Sequence, residues 1–434
     1  MICTVRDFPA SAEKMKQENL QKAIVLRREL HRHPELSGRE EWTREHLKVF
    51  LRRNTSLRIV DRGRWFYAWY NPASRDGGHG NDRGGDRRAD GGDGLGDDNG
   101  RGDRQDNGSG PGYKPAARSA NKPGIAFRAD FDALPIHDDI DADYRSVNEG
   151  VGHKCGHDGH AATLAALALE VDREGADRNV YFLFQHAEET GEGAKECLDL
   201  FAEHEISEIY AWHNMPGICL GTAAVKSGTM HFASKGLSMY FTGKESHASL
   251  PEEGINPSYA VARIIRIIEE LSERKDFAGL VLITIVQVDI GKEAFGTAAG
   301  EGVLRITLRA KYEDELAAVQ KSILAAAEEE SRKASLDFSF EESDVFFETV
   351  NDPESVDKLK KVCEVLDIPV IDMEKPFRAS EDFGYYLKKC RGCIFFIGDG
   401  EESPKLHTRE FDFPDAIIEP AVELMKGLIS AGAD

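Results

Sequence analysis

The sequence predicts an α/β protein: an open sheet with helices on its faces, interrupted by a smaller domain with the element order of a ferredoxin-like fold. Three observations carry this. Strand-like and helix-like segments alternate over short connections from Leu57 to Trp212, the signature of an open α/β sheet whose ligands gather at strand C-termini. From about Ser227 the order becomes strand, helix, strand, strand, helix, strand, the βαββαβ arrangement. From about Val345 the chain returns to helix and strand and supplies the remaining parts of the first domain. The predicted organisation is a first domain made of 1–226 and 344–434, with 227–343 inserted in it.

Taken in order, Ser11 to about Arg53 is helical, with apolar Leu20, Ile24, Leu26 and Leu30 before His33-Pro34, then Trp42, Leu47, Phe50 and Leu51 after Ser37-Gly38. Two helices joined by a Pro/Gly turn follow from that spacing. His31 and His33 lie near the break without an acidic or thiol partner close in sequence, and a structural role is expected of them. Leu57 to Tyr70 reads as one strand. Residues 71–121 are dominated by Gly, Asp, Arg and Asn; with almost no large apolar side chain they cannot offset their ordering entropy, so a disordered insertion is expected there. Pro123 to Asp130 resumes as a strand, which suggests that the insertion joins two neighbouring strands.

Gly152-His-Lys-Cys-Gly-His-Asp-Gly-His160 comes next and runs into Ala161-Ala-Thr-Leu-Ala-Ala-Leu-Ala-Leu169. Cys155 and His157 are two apart, a spacing that cannot put both on one helix face, so a turn ahead of a helix is expected to aim them. Asp158 is read as the helix N-cap. Then follow a helix to about Glu174, a strand at Asn179–Phe184, a helix near Ala194–Glu203 and a strand at Glu208–Trp212. The inserted domain has strands at Leu237–Thr242, Leu280–Asp289, Glu301–Ala310 and Leu336–Glu341, with helices at Asn256–Glu273 and Glu313–Lys333. A helix at Asp352–Leu366, the short Val370-Ile-Asp, a helix after Ala379-Ser-Glu-Asp-Phe-Gly, a strand at Cys393–Ile397 and a last helix from Ile417 complete the chain.

A formal charge of −22 opposes approach to phosphates, so neither nucleic acid nor an anionic membrane is an expected partner, and a small-molecule substrate is. No apolar run is long enough to span a bilayer, and the start, Met1 to Pro9, lacks the basic-then-apolar order of a signal peptide. Seven scattered cysteines do not form a disulfide framework. A cytoplasmic protein is expected.

The candidate chemistry lies at the strand ends. Cys155, His157, Glu188, Glu189, His213 and His407 form a pool of thiolate, imidazole and carboxylate that suits zinc or manganese far better than magnesium or calcium. Adjacent side chains point apart, so one of Glu188 and Glu189 can bind metal while the other serves as base; a charged pair on a solvated loop is the competing reading. Two metal ions and a carboxylate supply the activated water, the polarised carbonyl and the proton carrier that hydrolysis at neutral pH requires.

Six ordered motifs then define a resemblance: Arg128-Ala-Asp-Phe-Asp-Ala-Leu-Pro135, Cys155-Gly-His-Asp-Gly-His160, Phe184-Gln-His-Ala-Glu-Glu189, Ser246-His-Ala-Ser-Leu-Pro251 with Gly254-Ile-Asn-Pro257, Ser380-Glu-Asp-Phe383, and His407-Thr408. From about Leu26 to the C-terminus, leaving out the insertion, the chain resembles the M20 family of metallopeptidases, in particular its amidohydrolases of N-acyl amino acids. The resemblance implies a zinc-peptidase-like catalytic domain with an open mixed sheet and a ferredoxin-like lid that also forms a homodimer. It implies two divalent ions, Zn2+ or Mn2+, held by Cys155, His157, Glu189, His213 and His407, with Cys155 shared between them. Glu188 would be the general base, Asp130 would orient a ligating imidazole, and His247 would reach the partner subunit's active site to stabilise the oxyanion. The implied substrate is an N-acyl amino acid, with a dipeptide or a biosynthetic intermediate as the alternative. In the turn, Asp158 and His160 are expected to shape it rather than ligate. His186, where relatives carry Pro, and Ala294-Phe-Gly-Thr-Ala298, where many carry a substrate-binding Asn, depart from the pattern and bear on the acyl and carboxylate preferences.

Overall fold

The computed structural model describes residues 15–74 and 122–431. Most of the 71–121 insertion and Cys3 lie outside them. Eight strands form one mixed sheet, in the spatial order Arg58–Asp61, Phe66–Tyr70, Val180–Gln185, Gly124–Asp130, Ile206–Pro216, Arg391–Gly400, Ala223–Val225 and Val370–Asp372. Its four central strands, Val180–Gln185 to Arg391–Gly400, run parallel. They are buried on both faces, so they read as near-continuous apolar runs such as Val180-Tyr-Phe-Leu-Phe184.

Alternate residues of these strands divide between two cores. Phe66, Phe127, Phe182, Tyr210 and Phe395 pack on one side against the helices Gln17–Arg32, His157–Glu174, Pro353–Val365 and Ile418–Ser430. Tyr67, Ala126, Leu183, Ile209 and Phe396 pack on the other, against the short helices Gly193–Cys197, Asp199–Glu203 and Gly384–Leu387. The helix His157–Glu174 is buried from His157 to Val171, as a helix apolar on all sides must be.

A second sheet takes the order Val281–Ile290, Glu301–Ala310, Ala233–Thr242, Asp337–Phe346, wholly antiparallel, which is the ferredoxin-like arrangement expected. The helices Ser258–Ser272 and Glu313–Ala334 cover one face through Val261, Ile264, Val319 and Ile323 against Leu237, Met239, Leu304 and Ile306.

Three local expectations are corrected. Residues 57–70 form an antiparallel hairpin rather than one strand, because the Gly63 N–H bonds Asp61 Oδ1 at 3.0 Å and Gly63 takes φ 82°, an aspartate-initiated turn. The strands either side of the insertion are not neighbours: Val180–Gln185 pairs with both and lies between them. Asp158 does not cap its helix; Gly156, with φ 102°, precedes the first helical residue His157, and no side chain caps it. Cys155, Cys197, Cys363, Cys390 and Cys393 are free thiols, while Cys219 is disulfide-bonded, a pairing that scattered spacing does not announce. Among the described residues no helix is long and apolar enough to cross a membrane.

Candidate metal centre

The site assembles at the C-terminal ends of the central strands. Gly156 sits between Cys155 and His157 because the turn leaves no room for a side chain: a Cβ there would lie 2.3 Å from Asn214 Oδ1, and φ 102° disfavours an L side chain in any case. The Lys154 carbonyl accepts the His407 N–H at 2.7 Å, tying the loop after the Arg391–Gly400 strand to the turn. His407 (φ 61°) and Ala187 (φ 48°) take left-handed conformations, uncommon for non-glycine residues and characteristic of functional sites. The kink at Ala187, whose N–H donates to Glu40 at 2.8 Å, follows the Val180–Gln185 strand directly and turns both Glu188 and Glu189 inward.

Six of the predicted residues meet there. Cys155 Sγ is 3.4 Å from the Nε2 of His213 and 3.4 Å from the Nε2 of His407; two ligands of one tetrahedral zinc, at bonds of about 2.3 and 2.0 Å, stand roughly 3.5 Å apart. His157 donates Nδ1–H to Asp132 at 3.0 Å. Its buried Nε2 has no hydrogen-bond partner and lies 3.9 Å from Glu188 and 3.8 Å from Glu189. His213 likewise commits Nδ1 to the Asn214 carbonyl at 2.7 Å, and Glu189 Oε1 is unpartnered, 3.6 Å from His407. The His157 and His213 rings are thus held from behind while their Nε2 atoms face a common space, as outer partners do in metal sites. Cys155, His157 and His213 form one set of convergent donor atoms; Cys155, Glu189 and His407 form another. Cys155 belongs to both.

Charge in this pocket is unbalanced. Burial pushes the Glu188 carboxyl well above its ordinary value, and Glu381, Glu189 and Asp382 add to the rise. Burial likewise raises Glu189 to about 7 and drives the Cys155 thiol well up, reinforced by both glutamates. Burial alone would depress His157, but Asp130 and Asp132 outweigh it and raise it to about 10. A divalent cation would favour the ionised carboxylates and the thiolate. The donor set therefore fits a metal: thiolate, imidazole and carboxylate atoms converge, and the buried His157 Nε2 and Glu189 Oε1 have no hydrogen-bond partner.

Behind Glu188 lies a buried cluster. Arg128 donates to Asp130 at 2.6 Å, Gln185 at 2.8 Å and Asp382 at 2.7 Å, and is 3.0 Å from Glu381. Asp130 also accepts from His160 Nδ1 at 2.6 Å. Of the site residues named from sequence, His247 alone stands apart. It is exposed, on a two-residue strand paired with Thr297–Ala298, and its Nδ1 contacts Ser249 Oγ at 2.7 Å. Asp158 is buried against His31 (2.8 Å) and Arg27 (3.7 Å), and His153 is buried with both ring nitrogens unpartnered. Sequence reasoning missed Asp132, Arg128, Asn214 and Asp382. Asp132 carried a signal, since Asp130 and Asp132 are two apart at a strand end and side chains two apart share a side.

Residues 126–431 match the model of peptidase family M20/M25/M40. The chain is 28% identical over 319 residues to an uncharacterized hydrolase of Staphylococcus aureus, covering 70% of this chain and 83% of that one. It is 29% identical over 289 residues to the N-acetyl-L-cysteine deacetylase of Bacillus subtilis, covering 66% and 69%. Its fold is similar to that of a dinuclear metal-binding peptidase of the M20 family from Bacillus subtilis, with a TM-score of 0.71, 21% identity and 95% and 98% of the two chains covered. An aminobenzoyl-glutamate utilization protein from Klebsiella pneumoniae aligns with a TM-score of 0.66 at 14% identity, covering 95% and 96%. Matched by the family model over more than half of its length, this chain belongs to peptidase family M20/M25/M40 and is an enzyme of that family, a hydrolase.

Proposed function

We propose that the protein hydrolyses the amide bond of N-acyl amino acids, using two divalent metal ions, zinc or manganese. Cys155, His157 and His213 would hold one ion and Cys155, Glu189 and His407 the other. The observation that carries this is Cys155 Sγ standing in both convergent donor sets. The deacetylase among the relatives supports an N-acyl substrate.

When bound, the ions supply a water of lowered pKa and a polarised scissile carbonyl. The chain's own residues do the rest. Glu188, buried beside the donor sets and outside the two that share Cys155, takes a proton from the attacking water and returns it to the leaving amine. Asp132 and the Asn214 carbonyl hold His157 and His213 in the tautomers that leave Nε2 free. Arg128 fixes Asp130, Glu381 and Asp382 around the base. His247 would donate to the developing oxyanion from the lid of a second copy, and its exposure in the single chain supports that reading. So does the outer strand Val281–Ile290, which exposes Val286 (64%) and Val288 (44%) on an unpaired edge where another strand can add. A homodimeric, cytoplasmic enzyme completes the proposal.

The test is Glu188→Gln assayed on N-acetyl and N-benzoyl amino acids, with metal content measured in parallel. Turnover is expected to fall by about 10²-fold or more with metal retained; substantial turnover would remove Glu188 as the base. A dipeptide series in the same assay separates the dipeptidase alternative, and preference for one biosynthetic N-acyl intermediate separates the dedicated deacylase.

A further inference from the structure

Behind His213 runs a line of buried polar groups that lies outside the two donor sets sharing Cys155. His160 lies edge-on to His213, with ring centroids 4.5 Å apart at 69°, and 5.4 Å from His157. Its Nδ1 donates to Asp130 at 2.6 Å, and its Nε2 is 2.8 Å from Asn214 Oδ1. At the other end of that amide, Nδ2 donates to Asp399 Oδ2 at 2.8 Å. His160, Asn214 and Asp399 are 1%, 0% and 6% exposed.

The order of these groups matters. An amide has a donor end and an acceptor end, and a carboxylate accepts only. Asp399 therefore fixes which way Asn214 points, and the carbonyl is left facing His160. The same Oδ1 stands against the ligand turn, where a Cβ on Gly156 would meet it at 2.3 Å. Asn214 thus touches the turn between Cys155 and His157, holds His160, and follows His213 in sequence.

We propose that Asn214 and Asp399 are positioning residues of the metal centre. Asp399 orients the Asn214 amide, Asn214 holds His160, and His160 both anchors Asp130 and braces the His213 ring. This rests on the reading of Cys155, His157 and His213 as metal ligands. Deleting the acceptor at 399 frees the amide to rotate, leaves His160 Nε2 with only the Asn214 backbone N–H at 3.3 Å, and loosens the His213 ring, whose remaining contacts are the Asn214 carbonyl at Nδ1 and Cys155 Sγ at Nε2.

The experiment is titration of the metal-stripped full chain with cobalt(II), read by the visible bands of the ion and by thiolate-to-cobalt charge transfer. Asp399→Leu and Asn214→Leu are expected to bind cobalt about 10–100-fold more weakly and to shift the visible bands. Asp399→Asn keeps a carbonyl that accepts the same Nδ2–H, and is expected to retain the affinity and bands of the parent protein. Thermal melting checks that each variant is folded; Asp399→Ala, which removes the acceptor without adding bulk, replaces Asp399→Leu if the latter is not. Parental affinity and bands in the folded acceptor-less variants overturn the proposal. So does an Asp399→Asn variant as impaired as Asp399→Leu. Absence of thiolate charge transfer in the parent protein takes down the metal-ligand reading with it, whereas a normal parent with unaffected variants takes down this inference alone.

Discussion

Cys155 faces an imidazole on either side at 3.4 Å, and in the proposed role its thiolate, shared between two ions, would be hard to replace. Cys155→Ser, with a hydroxyl far less acidic than a thiol, is expected to lower bound metal from two ions per chain to one or none, measured by elemental analysis; unchanged stoichiometry would falsify the shared role. Gly156→Ala tests the same turn through the backbone. A side chain at φ 102° beside Asn214 Oδ1 is expected to destabilise the protein by about 1–3 kcal/mol, read from its urea midpoint, and to weaken metal binding. At this scale much was legible. Glu188, Glu189 and His213 could be named because they follow apolar runs, Cys155 and His157 because they share a turn ahead of an apolar helix, and His407 from its motif, and the structure brings all six together. Asp132 and Asn214 were not, since each acts on a ring set by the fold. The contact of His157 with Asp132 spans 25 residues, and no local spacing encodes it.

Among the elements, the helix His157–Glu174 is the one on which the site depends. Its N-terminus carries His157, and its buried start is tied to the Gln17–Arg32 helix by His31, which contacts Asp158 at 2.8 Å and Asp138 at 3.1 Å. Lys154 also pairs with Asp138. Burial alone would depress His31, but Asp158 and Asp138 outweigh it and raise it to about 9. Its contribution to stability is fully present below its unfolded value near 6.5 and is lost as pH rises through about 9, a difference of about 3 kcal/mol shared across the cluster. Asp138 and Asp158 are held below the usual carboxylate range, chiefly against burial by His31, Lys154 and His153, so their contribution is lost in acid. Urea denaturation of the metal-stripped protein is expected to show greatest stability near pH 5–6.5 and a decline toward pH 9. His31→Gln should lessen the alkaline decline, to which His157, raised to about 10, also contributes, and an unaltered decline in that variant would remove His31 as a source. The expectation of a structural role for His31 agrees with this pairing, although its acidic partners lie 107 and 127 residues away. The hairpin over 57–70 was missed although its signal, Asp61 two residues before Gly63, was present; the aromatic run hid the turn.

For the whole molecule, the proposed trans arrangement of His247 makes a sharp prediction. Mixing Glu188→Gln with His247→Ala, each inactive alone, and allowing subunits to exchange should restore about a quarter of the parent activity. Random pairing makes half the dimers mixed, and each mixed dimer has one complete site. No recovery, with dimers confirmed by light scattering, would show that His247 acts within its own chain or not at all. Alternation of strand and helix, the βαββαβ block and the donors at strand ends were determined by the sequence itself. Periodicity and residue chemistry are local properties, and apolar runs buried on both faces admit few other architectures. Only the tertiary structure decided that Val180–Gln185 lies between the strands flanking the insertion, that Asp158 pairs with His31 instead of capping its helix, and that His247 stands away from the donors of its own chain. Each of these depends on which distant segments pack together, and that choice is made by burial summed over the whole fold rather than by any stretch of residues.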